Sequence, residues 1–410
     1  MLLFCYESQS LFIVIIQKHP EYSQTKKPVD MTIGIDASNI RKGGGLTHLK
    51  ALLQYAQPKT NGYSKIIIWS SKTTLDEIPN STFIEKRSHP LLNKSSLYCF
   101  LFQFMYLKKE AVDCSILLAP GGTFISSFKP FVTLSQNMLP FEPHQAKAYN
   151  FKMRLRLNLL YYTQSYTFKR AEGLIFLTQY AKRNIVAKMK WEHPKAIVIP
   201  HGVDPSFQLQ PRYQYEVSHY HKDNLFEFLY VSYITVYKHQ WNIAEAVCQV
   251  HQLGLPIKLK LVGSVLDSFD LLKEVYHRYP NSKECLEYIG DIPHGELNHH
   301  YHNADAFVFG SSCENLPIIL LEAMNAGLPI ASSNYGPMGE VLGSSAVYFN
   351  PYKISSIKNA LQFLFENHEL RQFMANHSFN KGKNYTWDTC ANKTFKYIID
   401  CANHYHHNIN

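Results

Sequence analysis

Short apolar runs alternate with stretches of helical period along almost the whole chain. The strand-like runs fall at 32–36, 65–70, 115–119, 131–135, 173–177 and 196–199, then at 226–231, 258–262, 287–289, 306–309, 329–331 and 347–349. Helical stretches lie between them, among them 46–57, 151–170, 242–253, 266–278, 318–326 and 354–366. Strands separated by helices pair in parallel, because each helix carries the chain back across the sheet; the product is a doubly wound α/β sheet. A break follows Pro200-His-Gly-Val-Asp204, and the polar, aromatic-rich stretch 205–224 reads as a linker. The pattern predicts two Rossmann-like domains, 31–208 and 209–385, with 386–410 as a final helix. In open sheets of this type ligands sit beyond the C-terminal strand ends.

A chain of 410 residues is long for one core and suits two domains. Its 46% apolar and 18% charged content is that of a water-soluble globular protein, expected in the cytoplasm or on the inner face of the membrane. The apolar run 11–16 is too short to span a bilayer and has no basic stretch before it, so 1–30 reads as a poorly ordered extension or a start-site artefact ahead of Met31. Eight scattered cysteines without Cys-x-x-Cys spacing read as reduced, structural thiols. His404, His406 and His407 read as a frayed polar terminus rather than a metal site. The net charge is +9, and 147–190 carries ten Lys or Arg against one acid, Glu172. That basic face by itself suits nucleic acid, anionic lipid or a phosphorylated substrate; a plain solvated helix is the alternative. No nucleic-acid partner is expected.

The segment Glu314-Asn-Leu-Pro-Ile-Ile-Leu-Leu-Glu322 places two carboxylates eight positions apart around an apolar core. A strand-like run precedes it, and a helical run follows to Gly327, a C-terminal stop signal. Glu314 then stands at the mouth of a strand-to-helix turn and Glu322 about two turns inside the helix, about 12 Å further along the axis. That span matches the two ends of a nucleotide sugar, with phosphates at the positive helix N-terminus. Taken alone, the pair also fits the solvated edges of an ordinary core helix. Gly43-Gly44-Gly45, after the first strand, lets a backbone approach a phosphate or sugar; it is neither GxGxxG nor a P-loop, so NAD and ATP are not indicated. Lys238, after the first strand of the second half, can reach a diphosphate as a point charge, or serve as a surface lysine. There is no Asp-x-Asp, so neither a metal nor another cofactor is expected, and no Ser-His-Asp signature points to a hydrolase.

With Tyr288-Ile-Gly-Asp-Ile-Pro upstream and Gly327-Leu-Pro-Ile-Ala-Ser-Ser downstream, the Glu-x7-Glu segment resembles the C-terminal half of the retaining group 1 (family 4) glycosyltransferases. The resemblance runs from about Met31 to Trp387 and is looser in the first half. It implies a GT-B fold, two Rossmann-like domains facing across a cleft, with the last helix crossing back to the first domain. It also implies a nucleotide-sugar donor and transfer of a hexose to a glycan or lipid-linked acceptor of a cell-surface polysaccharide such as lipopolysaccharide. In that scheme Glu314 orients the donor sugar, Lys238 stabilises the leaving diphosphate and Glu322 holds the ribose. Gly43, Gly44, Gly45, Asn137, Ser232, Asn315, Leu316 and Ile318 line the remainder of the site.

This chain departs from the family in three places. Tyr233 stands where an arginine is usual, Asn315-Leu316-Pro317 replaces Gly-Phe-Gly, and Gln136-Asn137 replaces His-Asp. Proline removes one N–H, and an amide cannot carry a proton as histidine does. A sugar-nucleotide 2-epimerase shares the architecture, and the departures also fit a non-catalytic nucleotide-sugar-binding homologue.

Overall fold

A computed structural model describes residues 31–409; the expectation for 1–30 lies outside the described residues. The first sheet contains β1 (Thr32–Asp36), β2 (Lys65–Trp69), β3 (Ile84–Arg87), β4 (Ile116–Ala119), β5 (Phe131–Leu134), β6 (Gly173–Phe176) and β7 (Ala196–Val198). They pair in the order β3-β2-β1-β4-β5-β6-β7, all parallel. The second sheet contains β8 (Phe226–Val231), β9 (Ile257–Val262), β10 (Leu286–Gly290), β11 (Ala306–Phe309), β12 (Ile330–Ser333) and β13 (Ala346–Phe349). Its order is β10-β9-β8-β11-β12-β13, again all parallel. Two doubly wound sheets facing across a cleft are the GT-B architecture.

The helices that matter for the site and its surroundings are α1 (Gly44–Gln54), α2 (Ser96–Met105), α3 (Phe151–Arg170), α4 (Gln179–Met189), α5 (Gln240–Gln252), α6 (Leu297–Asn303), α7 (Ile318–Asn325) and α8 (Trp387–Ile409). Alternate residues of a strand face opposite sides of a sheet. Leu118, Val132 and Ile175 therefore join the core that includes Leu49 of α1 and Phe395 of α8. Their neighbours point the other way: Leu117 and Phe131 pack with Phe102 of α2, and Leu174 and Phe176 with Phe168 of α3. Thus α2 and α3 cover one face of the first sheet, and α1 and α8 the other.

The chain crosses between the domains twice, side by side. Val203 donates its N–H to the Tyr385 carbonyl at 3.0 Å and forms an isolated parallel bridge with Thr386. Gly202 makes this approach feasible, since a Cβ there would lie 2.1 Å from the Trp387 nitrogen. The stretch 205–224 is more ordered than a plain linker. It holds two 3₁₀ turns, and the buried guanidinium of Arg371 anchors it by bonds to the Gln214 side chain and the Tyr215 carbonyl.

Two further expectations are corrected. The edge strand β3 was not foreseen, because Ile-Glu-Lys-Arg carries too little apolar signal; only its hydrogen bonds to β2 reveal it. The histidine tail is not frayed. It continues α8, with His404 Nδ1 2.7 Å from Lys195 Nζ and His406 Nε2 3.1 Å from the Ser115 carbonyl. Among the described residues, no helix is long and apolar enough to cross a membrane.

Candidate active site

Strand order reverses direction between β8 and β11, and a sheet opens a crevice at such a point because the two following loops diverge. The loop after β8 delivers Lys238, and the loop after β11 delivers Glu314. Gly310 ends β11 without a side chain, where a Cβ would lie 2.6 Å from Ile243 and 3.0 Å from the Lys238 carbonyl. The two loops are thereby pressed together. Lys238 Nζ pairs with Glu314 Oε1, and the Ser311 hydroxyl donates to the same oxygen at 2.5 Å. Their side chains are only 8% and 14% exposed, so the pair is largely removed from water. The ammonium also lies 5.0 Å above the Phe309 ring. Lys238 is therefore not the free phosphate-seeking cation the sequence suggests; its charge is already matched.

Both residues line a cavity of about 630 Å³ between the domains, within the range of small-molecule sites. Gly43, Gly44, Gly45, Asn137, Ser232, Asn315, Leu316, Ile318 and Glu322 line it too, so every candidate residue named from the sequence converges there. Helix α1 begins two residues earlier than expected, at Gly44, with Gly43 at φ 70° as its cap. Its first amides thus open onto the cavity without a capping side chain. Helix α7 is likewise uncapped, with Pro317 ahead of Ile318. The first N–H groups of a helix have no intrahelical partner and attract anions.

Glu322 is buried in the opposite end of the cavity wall. Its Oε2 accepts from the Tyr301 hydroxyl at 3.0 Å, and its Oε1 lies 3.1 Å from His294 Nε2. The hydrogen bond to Glu322 raises His294 above the usual imidazole value, against burial, which lowers it. Neither Tyr301 nor His294 was foreseen as a site residue. Their only sequence signal was the Asp-Ile-Pro turn just before His294. Asn315 bridges the domains: its Nδ2 donates to the Ser135 carbonyl at 2.7 Å, and its own carbonyl accepts from Thr178 Oγ1 at 3.1 Å. Its Oδ1 is buried without a partner, an acceptor left over for a ligand hydroxyl. Tyr233, in the usual arginine place, supplies no cation. Its hydroxyl stands 3.8 Å from where a Cβ on Gly43 would be, so it reaches across the cavity mouth.

Residues 214–381 match the family model described as glycosyl transferases group 1. This segment is a group 1 glycosyltransferase domain. The chain is 26% identical over 161 residues to the sulfoquinovosyl transferase SQD2 of Arabidopsis thaliana, covering 36% of this chain and 32% of that protein. It is 25% identical over 171 residues to the O-antigen chain mannosyltransferase B of Escherichia coli, covering 40% of this chain and 44% of that protein. The matches thus span less than half the length of these curated relatives. HepE from Anabaena, solved in complex with UDP, superposes with a TM-score of 0.65 over 89% of this chain and 98% of its own, at 16% identity, a likeness of fold. All of Lys238, Glu314 and Glu322 lie inside the group 1 domain.

The His294–Glu322 pair makes a test of the cavity's electrostatics. A histidine raised in the folded state adds stability that is fully present below the unfolded imidazole value and is lost as pH rises through the raised folded value. The melting-temperature gap between wild type and His294→Ala should therefore be larger near about pH 5.5 than near about pH 8.5. An equal gap at both would show that Glu322 does not raise His294 in the folded protein.

Proposed function

We propose that the protein is a retaining glycosyltransferase that moves a hexose from a nucleoside diphosphate sugar to a glycan or lipid-linked acceptor. The observation that carries this reading is the juxtaposition of Lys238 and Glu314 at the strand-order reversal, beside the uncapped start of α7. The diphosphate would lie against Lys238 and the α7 amides, the hexose beside Glu314 and the ribose beside Glu322. The HepE complex with UDP supports a uridine nucleotide in a cleft of this shape.

In the proposed reaction the bond between the anomeric carbon and the β-phosphate oxygen breaks as the acceptor hydroxyl attacks from the same face. The acceptor proton passes to the departing phosphate oxygen. Positive charge builds at the anomeric carbon, where the Glu314 carboxylate favours it, and negative charge builds on the diphosphate, where Lys238 favours it. In the empty site the two side chains neutralise one another, so donor binding exchanges a lysine–glutamate contact for two contacts of opposite sign with the donor.

The acceptor side of the reading rests on α3 and α2. Phe151, Leu155, Leu159, Tyr162 and Tyr166 recur along α3 at helical spacing and are all well exposed. Leu97 and Phe104 of α2, on the same face of the first sheet, are 74% and 71% exposed. The basic stretch thus carries an exposed apolar stripe beside its charges. Lys152, Arg154 and Arg156 border the apolar stripe, the composition of a surface that lies on an anionic bilayer. A lipid-linked acceptor would be presented there.

Lys238→Ala should cut kcat by about 10²–10³-fold, as for removal of one donor to a developing oxyanion, with much less change in donor KM. Near-normal kcat in a folded Lys238→Ala protein would contradict the role. Anionic vesicles should retain the protein at low salt and release it at high salt. Charge reversal at Lys152, Arg154 and Arg156, or Leu155→Asp with Leu159→Asp, should abolish retention in a sedimentation assay. Absence of binding to anionic vesicles at low salt would remove the membrane from the proposal.

A further inference from the structure

We propose that His48, His201 and Cys390 form a binding site for one divalent ion of the zinc class, placed where the chain crosses between the domains. The three side chains come from α1, from the first crossing and from the start of α8. They are 2%, 5% and 3% exposed, and their ligand atoms all lie within 4.8 Å of one another. Cys390 Sγ is 3.9 Å from His48 Nε2, and the two imidazole rings are 4.5 Å apart between centroids. Trp387 walls the cluster, 5.7 Å from His48 and 5.6 Å from His201.

One atom of the cluster is left without a partner. His201 Nδ1 is buried and has no hydrogen-bond partner. A polar nitrogen taken out of water without a partner is costly, and such atoms are uncommon in folded proteins. A metal ion supplies the missing partner. Imidazole nitrogen and cysteine thiolate are both donors that zinc takes, with the fourth tetrahedral position left to a water. The ligand atoms must draw in to about 3.3–3.6 Å, the separation set by zinc bonds of about 2.0–2.3 Å. Small rotations of the three side chains about their own bonds would be needed to reach this.

Gln136 completes the site. Its amide Nε2 is 2.8 Å from His48 Nδ1. Coordination through Nε2 requires the proton on Nδ1, so Gln136 would present Oε1 instead, by a half-turn of an amide whose two ends are nearly alike in shape. Binding also releases the Cys390 thiol proton to solvent, and the thiolate takes its place as ligand. The bound ion would fasten α1 and both crossings together and stiffen the joint between the domains. The inference does not depend on the glycosyltransferase reading, since it uses neither Lys238, Glu314 nor Glu322.

The test is titration of the metal-stripped full-length protein with Co²⁺, which reports thiolate ligation by a ligand-to-metal charge-transfer band in the near ultraviolet. The expected result is a band that saturates at one equivalent, is displaced by Zn²⁺ and is absent in Cys390→Ala. Gln136→Ala should weaken binding about 10–100-fold, the usual effect of losing a ligand's hydrogen-bond partner. Ions held by His404, His406 and His407 give no thiolate band, so the α8 tail does not mimic the signal. X-ray absorption of the zinc-loaded wild type needs no variant and should show one sulfur and two imidazole nitrogens. A zinc shell without sulfur, a band that survives in Cys390→Ala, or no saturable band at all would overturn the proposal.

Discussion

The ion pair between Lys238 and Glu314 is the interaction on which the cleft depends. Two opposite charges held out of water repay their desolvation only when geometry is good and the leftover lone pairs are satisfied. Here the geometry comes from the fold. Parallel strands β8 and β11 are neighbours, their loops leave the sheet at the point where strand order reverses, and Gly310 lets those loops touch. Ser311 and the face of Phe309 supply the remaining contacts. Each charge is stabilised by the other, and in the proposed reaction a ligand carrying both a diphosphate and an electron-poor carbon would separate them.

The first domain closes over this pair through a small number of directional contacts. Asn315 reaches Ser135, Thr178 reaches Asn315, and Gln145 Nε2 donates to the Ser312 carbonyl at 3.2 Å. Glu340 accepts the backbone N–H groups of Gln179 and Tyr180 at 2.8 and 2.7 Å, so a carboxylate of the second domain caps α4 of the first. Every one of these contacts lies within a few residues of a cavity wall. Small relative movement of the domains would therefore change the shape of the site directly, and the chain passes between them at the doubled crossing of Gly202 and Trp387.

Much of the fold was legible because the two periods, 2 and 3.6, are strong in buried sheets and covering helices. The bounds of β1, β8 and β11, and of α3, match the sequence pattern residue for residue. Helix α2 escaped because Ser-Leu-Tyr-Cys-Phe-Leu-Phe-Gln-Phe-Met is apolar almost all round, leaving no polar face to mark the period. The candidate site residues were named from motif spacing and from the family resemblance, and all of them reach one cavity. Their partners were not found. Lys238 and Glu314 are 76 positions apart, and His294 and Glu322 are 28 apart. Nothing local in the chain says which charges will meet, since that is decided by strand order. The same holds for His48 and Cys390, 342 positions apart.

The measurement that bears most directly on the central claim is a crystal structure of the protein grown with UDP and, separately, with a UDP-hexose. The β-phosphate should lie within hydrogen-bond reach of Lys238 Nζ and the first amides of α7, with the ribose hydroxyls at Glu322 and the Lys238–Glu314 contact opened. Nucleotide bound elsewhere, or bound in the cavity with the Lys238–Glu314 pair intact and the phosphates turned away from it, would contradict the assignment of this cleft as a donor site.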